Sequence, residues 1–207
     1  SDLDGDGDND IVAGNLGLNT RFRPPMRLYA KDFDANGSLD PVMCVQENGR
    51  FLPVPMRDNL LKQLPFLKKK FVRNTSYAKA SIEEVFSKME LENAQQLQTE
   101  TLASTWFENK GNGNWEAHAL PDEAQISPIH AIQSGDFNGD VKIDLLWAGN
   151  DSGFEVETGP LNTSPGYLLI GDGKGGFKAV SPSKSGFWAV HEVRCKLPIK
   201  LGKSGKL

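Results

Sequence analysis

Apolar residues in this chain come mostly in short runs cut by turn residues. Ile11, Val12 and Ala13 lead into Gly14 and Asn15, residues 41–45 form a second run, and residues 145–148 a third that ends at Gly149 and Asn150. Runs this short and this rich in β-formers predict strands rather than helices. The same reading predicts strands over 104–108, 115–120, 129–133, 166–170 and 187–193. Two glycine-rich turns, each closed by a large aromatic residue, lie at 106–115 and 168–177 and have the form of hairpins. Trp115 and Phe177 stand 62 residues apart, which leaves room for a four-stranded unit. Many short strands with regular turn signals predict an all-β array.

The period changes over 57–102. Leu60, Leu61, Leu64, Leu67 and Phe71, then Ile82, Val85, Phe86, Met89, Leu91 and Leu97, follow helical spacing. Ser81 followed by Glu84 has the form of a capping box, and Pro65 should break a helix or start a new one. The predicted organisation is therefore a β segment over 1–56, a helical insertion over 57–102 and a second β segment over 103–207. Lys68, Lys69, Lys70 and Arg73 form a basic cluster in the insertion. It reads either as a contact for an anion or acidic partner or, as isolated charge runs usually do, as a solvated helix end.

One polar pattern occurs three times. Asp2, Asp4, Asp6 and Asp10, then Asp32, Asp34, Asn36 and Asp40, then Asp136, Asn138, Asp140 and Asp144 occupy positions one, three, five and nine of three loops. Oxygen side chains on alternate residues of a tight loop converge on one point, and the ninth closes the cage, the arrangement a calcium ion requires. An EF-hand would need a Glu at position twelve on a following helix, but Ala13, Met43 and Trp147 stand there, each at the end of or within a predicted strand. The first loop, with four Asp, should bind best. The third should bind least well, because Val141 stands where Gly7 and Gly37 make the sharp turn, and a β-branched residue is poorly suited to positive φ.

Composition narrows the function classes. With 207 residues the chain can form one or two domains and bury a real core. A formal charge of −4, much of it in the acidic loops, argues against nucleic-acid binding. No apolar run approaches a membrane span. Cys44 and Cys195 are too few for a disulfide framework and read equally as buried thiols or one bridge. His118, His130 and His191 are scattered, without a metalloprotease or hydrolase motif, and the run from Gly171 to Gly176 lacks the ending of a phosphate loop. The chain opens inside the first acidic loop, which suggests a piece of a longer protein.

Gly135, Asp136, Phe137, Asn138, Gly139 and Asp140, followed by Ile143, Asp144, Leu145 and Leu146, resemble the FG-GAP or VCBS repeat, the calcium-loop blade of integrin-α-type propellers. The stretch from Asp2 to Asp8 with Gly14 to Asn19, and the run from Arg57 to Phe71, are similar to secreted bacterial relatives of cartilage acidic protein. The resemblance covers nearly the whole chain. It implies an all-β fold, a partial β-propeller of about three four-stranded antiparallel blades with one α-helical insertion. It also implies structural Ca2+ in up to three sites, with Asp8, Ser38 and Lys142 at position seven lending backbone carbonyls. Export to a secreted, periplasmic or cell-surface location would follow. The function expected is a non-catalytic binding or adhesion module for a protein or glycan; the alternative is the scaffold part of a secreted carbohydrate-active or other hydrolytic enzyme. About three blades do not close a ring, so homo-oligomerisation through exposed blade edges is expected.

Overall fold

The computed structural model describes residues 1–154 and 158–194, and the chain is mostly β, in three antiparallel sheets that are not closed. The strands are β1 (Ile11–Ala13), β2 (Met26–Lys31), β3 (Asp40–Glu47), β4 (Arg50–Pro53), β5 (Gln95–Thr99), β6 (Thr105–Asn109), β7 (Trp115–Ala119), β8 (Ile129–Gly135), β9 (Asp144–Gly149), β10 (Tyr167–Gly171) and β11 (Phe177–Val180). Two compact units result: Ser1–Thr20 with Leu102–Leu207, and the contiguous stretch Arg21–Thr101.

In the first unit β8, β9, β10 and β11 follow one another as a meander, and β1, β6 and β7 form a smaller sheet. The two-residue period of a strand sends Leu145 and Trp147 of β9 to the same side. They join Leu3, Trp106, Ile129 and Leu169 in one buried cluster, where each fully buried side chain contributes about 2 kcal/mol. The chain leaves this unit after Thr20 and returns at Leu102, and the Gly17 amide donates to the Leu102 carbonyl at 2.8 Å.

In the second unit β2, β3 and β4 form a meander, and β5 pairs with the other edge of β2, so that Leu28 faces Met43 on one side and Leu97 on the other. Val42 and Cys44 on β3 are covered by Leu60, Leu64, Leu67, Phe71, Ile82, Val85 and Phe86 from the helical stretch. That stretch is a chain of short pieces: Arg57–Gln63, Pro65–Lys69 (a 3-10 turn), Asn74–Tyr77, Ile82–Val85 and Lys88–Glu92. Pro65 starts the second piece, where its missing N–H costs nothing. Ser81 and Glu84 form the expected capping box, and Ser87 and Glu90 form another.

Three expectations need correction or limits. Helical structure ends at Glu92, and Gln95–Thr99 is strand β5, because the free edge of β2 offers that segment a ladder of hydrogen bonds. The second acidic loop and the helical pieces share one compact unit, Arg21–Thr101. Residues 187–193 are not a strand: Asn150 Nδ2 donates to the Val190 carbonyl at 3.1 Å and the Val193 amide to the Gly149 carbonyl at 2.8 Å, partners that take the place of a ladder. Cys195 lies outside the described residues.

Candidate metal centre

The same hydrogen bonds tie all three acidic loops. The carboxylate at position one gathers following amides: Asp2 from Gly5 (2.7 Å) and Gly7 (3.1 Å), Asp32 from Asn36 (3.0 Å) and Gly37 (2.8 Å), Asp136 from Gly139 (2.7 Å) and Val141 (2.9 Å). The side chain at position five accepts the amide of position seven: Asp6 from Asp8 (2.8 Å), Asn36 from Ser38 (2.7 Å) and Asp140 from Lys142 (3.0 Å). Short Asp and Asn side chains reach their own backbone two residues on, which explains why these residue types recur at alternate positions.

Position nine locks each loop to something else. One oxygen accepts the amide of position two: Asp10 from Leu3 (2.8 Å), Asp40 from Phe33 (3.1 Å), Asp144 from Phe137 (3.0 Å). The other accepts from a distant residue of the same unit: Asp10 from the Asn109 amide (3.0 Å), Asp40 from Gln63 Nε2 (3.3 Å), Asp144 from the Gly171 amide (3.0 Å). All three closing carboxylates are buried, Asp144 completely. Sequence reasoning missed Gln63, Asn109 and Gly171 as partners, since tertiary packing alone delivers them and no local spacing marks them.

Carboxylate oxygens gather in two of the loops, from positions one, three and nine. One carboxylate oxygen each from Asp2, Asp4 and Asp10 lies within 4.8 Å of the others, and the same holds for Asp32, Asp34 and Asp40. In the third loop the middle member is Asn138, leaving Asp136 and Asp144 as the carboxylates at the matching positions. Positions five and seven, Asp6 and Asp8, Asn36 and Ser38, Asp140 and Lys142, are exposed. Two like charges at such a separation repel by about 1 kcal/mol in water and about 3 kcal/mol near a protein surface. Donors that are all oxygen, several of them charged, fit a hard divalent cation of the calcium type.

The electrostatics divide by position. Amide donors hold Asp32 and Asp136 below the usual carboxylate range, the Gly37 amide contributing most at Asp32 and the Val141 amide most at Asp136. Asp4 is pushed up, first by partial burial and then by the neighbouring Asp6, Glu108 and Asp10. Positions four and six both take positive φ in every loop: Gly5 and Gly7 at 83° and 97°, Ala35 and Gly37 at 59° and 87°, Gly139 and Val141 at 86° and 71°. Val141 thus adopts the conformation for which its side chain is unsuited, and Ala35 is a second departure that the sequence reading passed over.

A further cluster sits beside the first loop. Glu108, Glu116 and His118 present ligand-type atoms within 4.8 Å of one another. Glu108 Oε2 is 2.9 Å from His118 Nε2, its other oxygen is paired with Lys110, and the His118 ring stacks on Trp106 at 4.6 Å between centroids. Lys110, just past β6, links Glu108 and Glu116, and Glu108 also meets His118, so these side chains are partnered by one another. Comparison of the chain with protein-family models, with curated proteins and with solved structures finds no match.

Proposed function

We propose that this chain is a calcium-stabilised extracellular binding module of the FG-GAP or VCBS kind, a partial propeller that recognises a protein or glycan partner and is not itself catalytic. The observation that carries the reading is the threefold recurrence of one hydrogen-bonded loop, with carboxylate trios gathered within 4.8 Å in two copies. Asp2, Asp4, Asp6 and Asp10, with their counterparts Asp32, Asp34, Asn36 and Asp40 and Asp136, Asn138, Asp140 and Asp144, would hold the ion through oxygen, with the carbonyls of Asp8, Ser38 and Lys142. Its chemistry is charge neutralisation. The chain's own amides already fix the loop, so little ordering remains to be done on binding.

Extracellular calcium modules bind at about 10⁻⁴–10⁻³ M, which favours a compartment rich in calcium. Thermal melts with millimolar calcium and with chelator test the reading. Calcium should raise the midpoint by mass action, and Asp4→Ala should erase more of that rise than Asp140→Ala. Equal midpoints in calcium and chelator sink it. Association through strand edges is part of the proposal. Strand β5 ends its sheet with residues 95–98 exposed, and light scattering that reports a clean monomer in calcium counts against this part.

A further inference from the structure

The helical stretch of the second unit carries a marked excess of positive charge. Residues 57–79 hold seven cations against one acid, a net +6, so the total of −4 leaves −10 on the remainder. The one acid, Asp58, is paired with Arg57 at 2.6 Å. The other six, Lys62, Lys68, Lys69, Lys70, Arg73 and Lys79, are exposed, and none forms an ion pair among the described residues. Their mounting is rigid, because Leu60, Leu61, Leu64, Leu67, Phe71 and Tyr77 on the same pieces are core residues.

Local structure shapes part of this surface into a receptacle. An open hollow of about 590 Å³ is lined by Arg50, Lys70, Phe71, Ser76 and Lys79, with Glu83 and Glu84 also on it. Glu84 accepts from Arg50 Nη2 at 2.5 Å and from the Ser81 amide at 2.9 Å, so Glu84 and Arg50 are paired with each other, and Lys70 and Lys79 are the cations the hollow offers beside Glu83. Lys70 is held by the Val85 carbonyl at 3.2 Å. Lys70 is felt at longer range by Glu84 and Glu90, but the net excess of cations on this stretch favours a partner that supplies anions at short intervals along a narrow chain.

We propose that the basic surface of residues 57–79, with the hollow that holds Lys70 and Lys79, binds an acidic polysaccharide, sulfated or carboxylated. A slender glycan chain can follow closely spaced cations, whereas a nucleic-acid duplex presents its charge over a broader front. The inference draws its setting from the binding-module reading but does not depend on the cation loops, so calcium melts and the following experiment fail independently.

The full chain is passed over immobilised heparin, used as a polysulfated glycan, and eluted with NaCl at several concentrations. Retention at 0.1 M salt, roughly the ionic strength at which charges more than about 10 Å apart are screened, is the expected result. Lys68→Gln/Lys69→Gln/Lys79→Gln removes three exposed cations that form no ion pair among the described residues, and should flatten log affinity against log salt by roughly two to three units of slope. The charge-matched Lys174→Gln/Lys178→Gln/Lys184→Gln should leave it in place. A chain not retained, or one weakened equally by both triple variants, overturns the proposal. Competition by polyglutamate or duplex DNA as strong as that by free heparin also overturns it, the first pointing to an acidic protein partner instead.

Discussion

The Gly175 amide donates to the Leu3 carbonyl at 3.2 Å, which seats the tip of the β10–β11 hairpin on the first acidic loop. Gly175 has φ +78°, and a Cβ there would stand 2.5 Å from a ring carbon of Trp106. Gly175→Ala therefore adds overpacking to backbone strain and should cost about 2–5 kcal/mol. Gly49 has nearly the same φ, +77°, with nothing within 4 Å, so Gly49→Ala should cost only the backbone part, about 1–2 kcal/mol. Urea midpoints of the two variants check the difference; equal losses would show that the Trp106 contact is unimportant.

Asp10 and Asp6 belong to one loop but do different work. Asp10 is buried and satisfies two amides, those of Leu3 and Asn109, while Asp6 is exposed and accepts one. Asp10→Ala strands both donors and should destabilise the chain by about 2–5 kcal/mol even in chelator, against about 1 kcal/mol or less for Asp6→Ala. Denaturation in chelator makes the comparison, and an Asp10→Ala loss that appears only with calcium would assign this residue to the ion alone.

Backbone strain in the third loop should be removable. Val141→Gly relieves a β-branched residue at φ 71° and should raise stability by about 1 kcal/mol, the relief being partly offset by the freer unfolded chain. Ala35→Gly, at φ 59°, should gain less. A destabilised Val141→Gly in thermal melts would show that the exposed valine makes a compensating contact.

Burial pushes the Cys44 thiol up to about 12, with Glu83 adding to the shift. In an unfolded chain a thiol titrates near 8.5, so the buried, neutral form contributes stability that is fully present below about pH 8.5 and is lost as pH rises toward 12. Iodoacetamide at pH 8 should label the peptide containing Cys44 only as fast as the second unit opens, as read by mass spectrometry. Labelling of the native chain at the rate of a free thiol would place Cys44 outside the core.

Much of the fold was legible because its strands are short apolar runs closed by turn residues. β1, β3, β6, β7, β8, β9 and β10 fall where those runs lie. β2 and β4 were passed over, since Arg27, Lys31 and Arg50 interrupt their apolar pattern and pairing with β3 decides their conformation. The Leu97 segment was misread as helix because one apolar residue among glutamines has no period of its own, and the edge of β2 decides the outcome. The recurrence of the acidic loops was legible from spacing, because local side-chain-to-backbone bonds build them, but the positive φ of Ala35 was not. What Asp10, Asp40 and Asp144 lean on was not, since Asn109, Gln63 and Gly171 come from far along the chain.

The bond between the Gly17 amide and the Leu102 carbonyl makes the departure and return of the polypeptide near neighbours within the first unit. A graft of a few residues across that junction would close a very short circuit, which carries little entropic penalty. The stretch Arg21–Thr101 thus leaves and re-enters the first unit at adjoining points, the arrangement in which an inserted segment makes the fewest demands on its host.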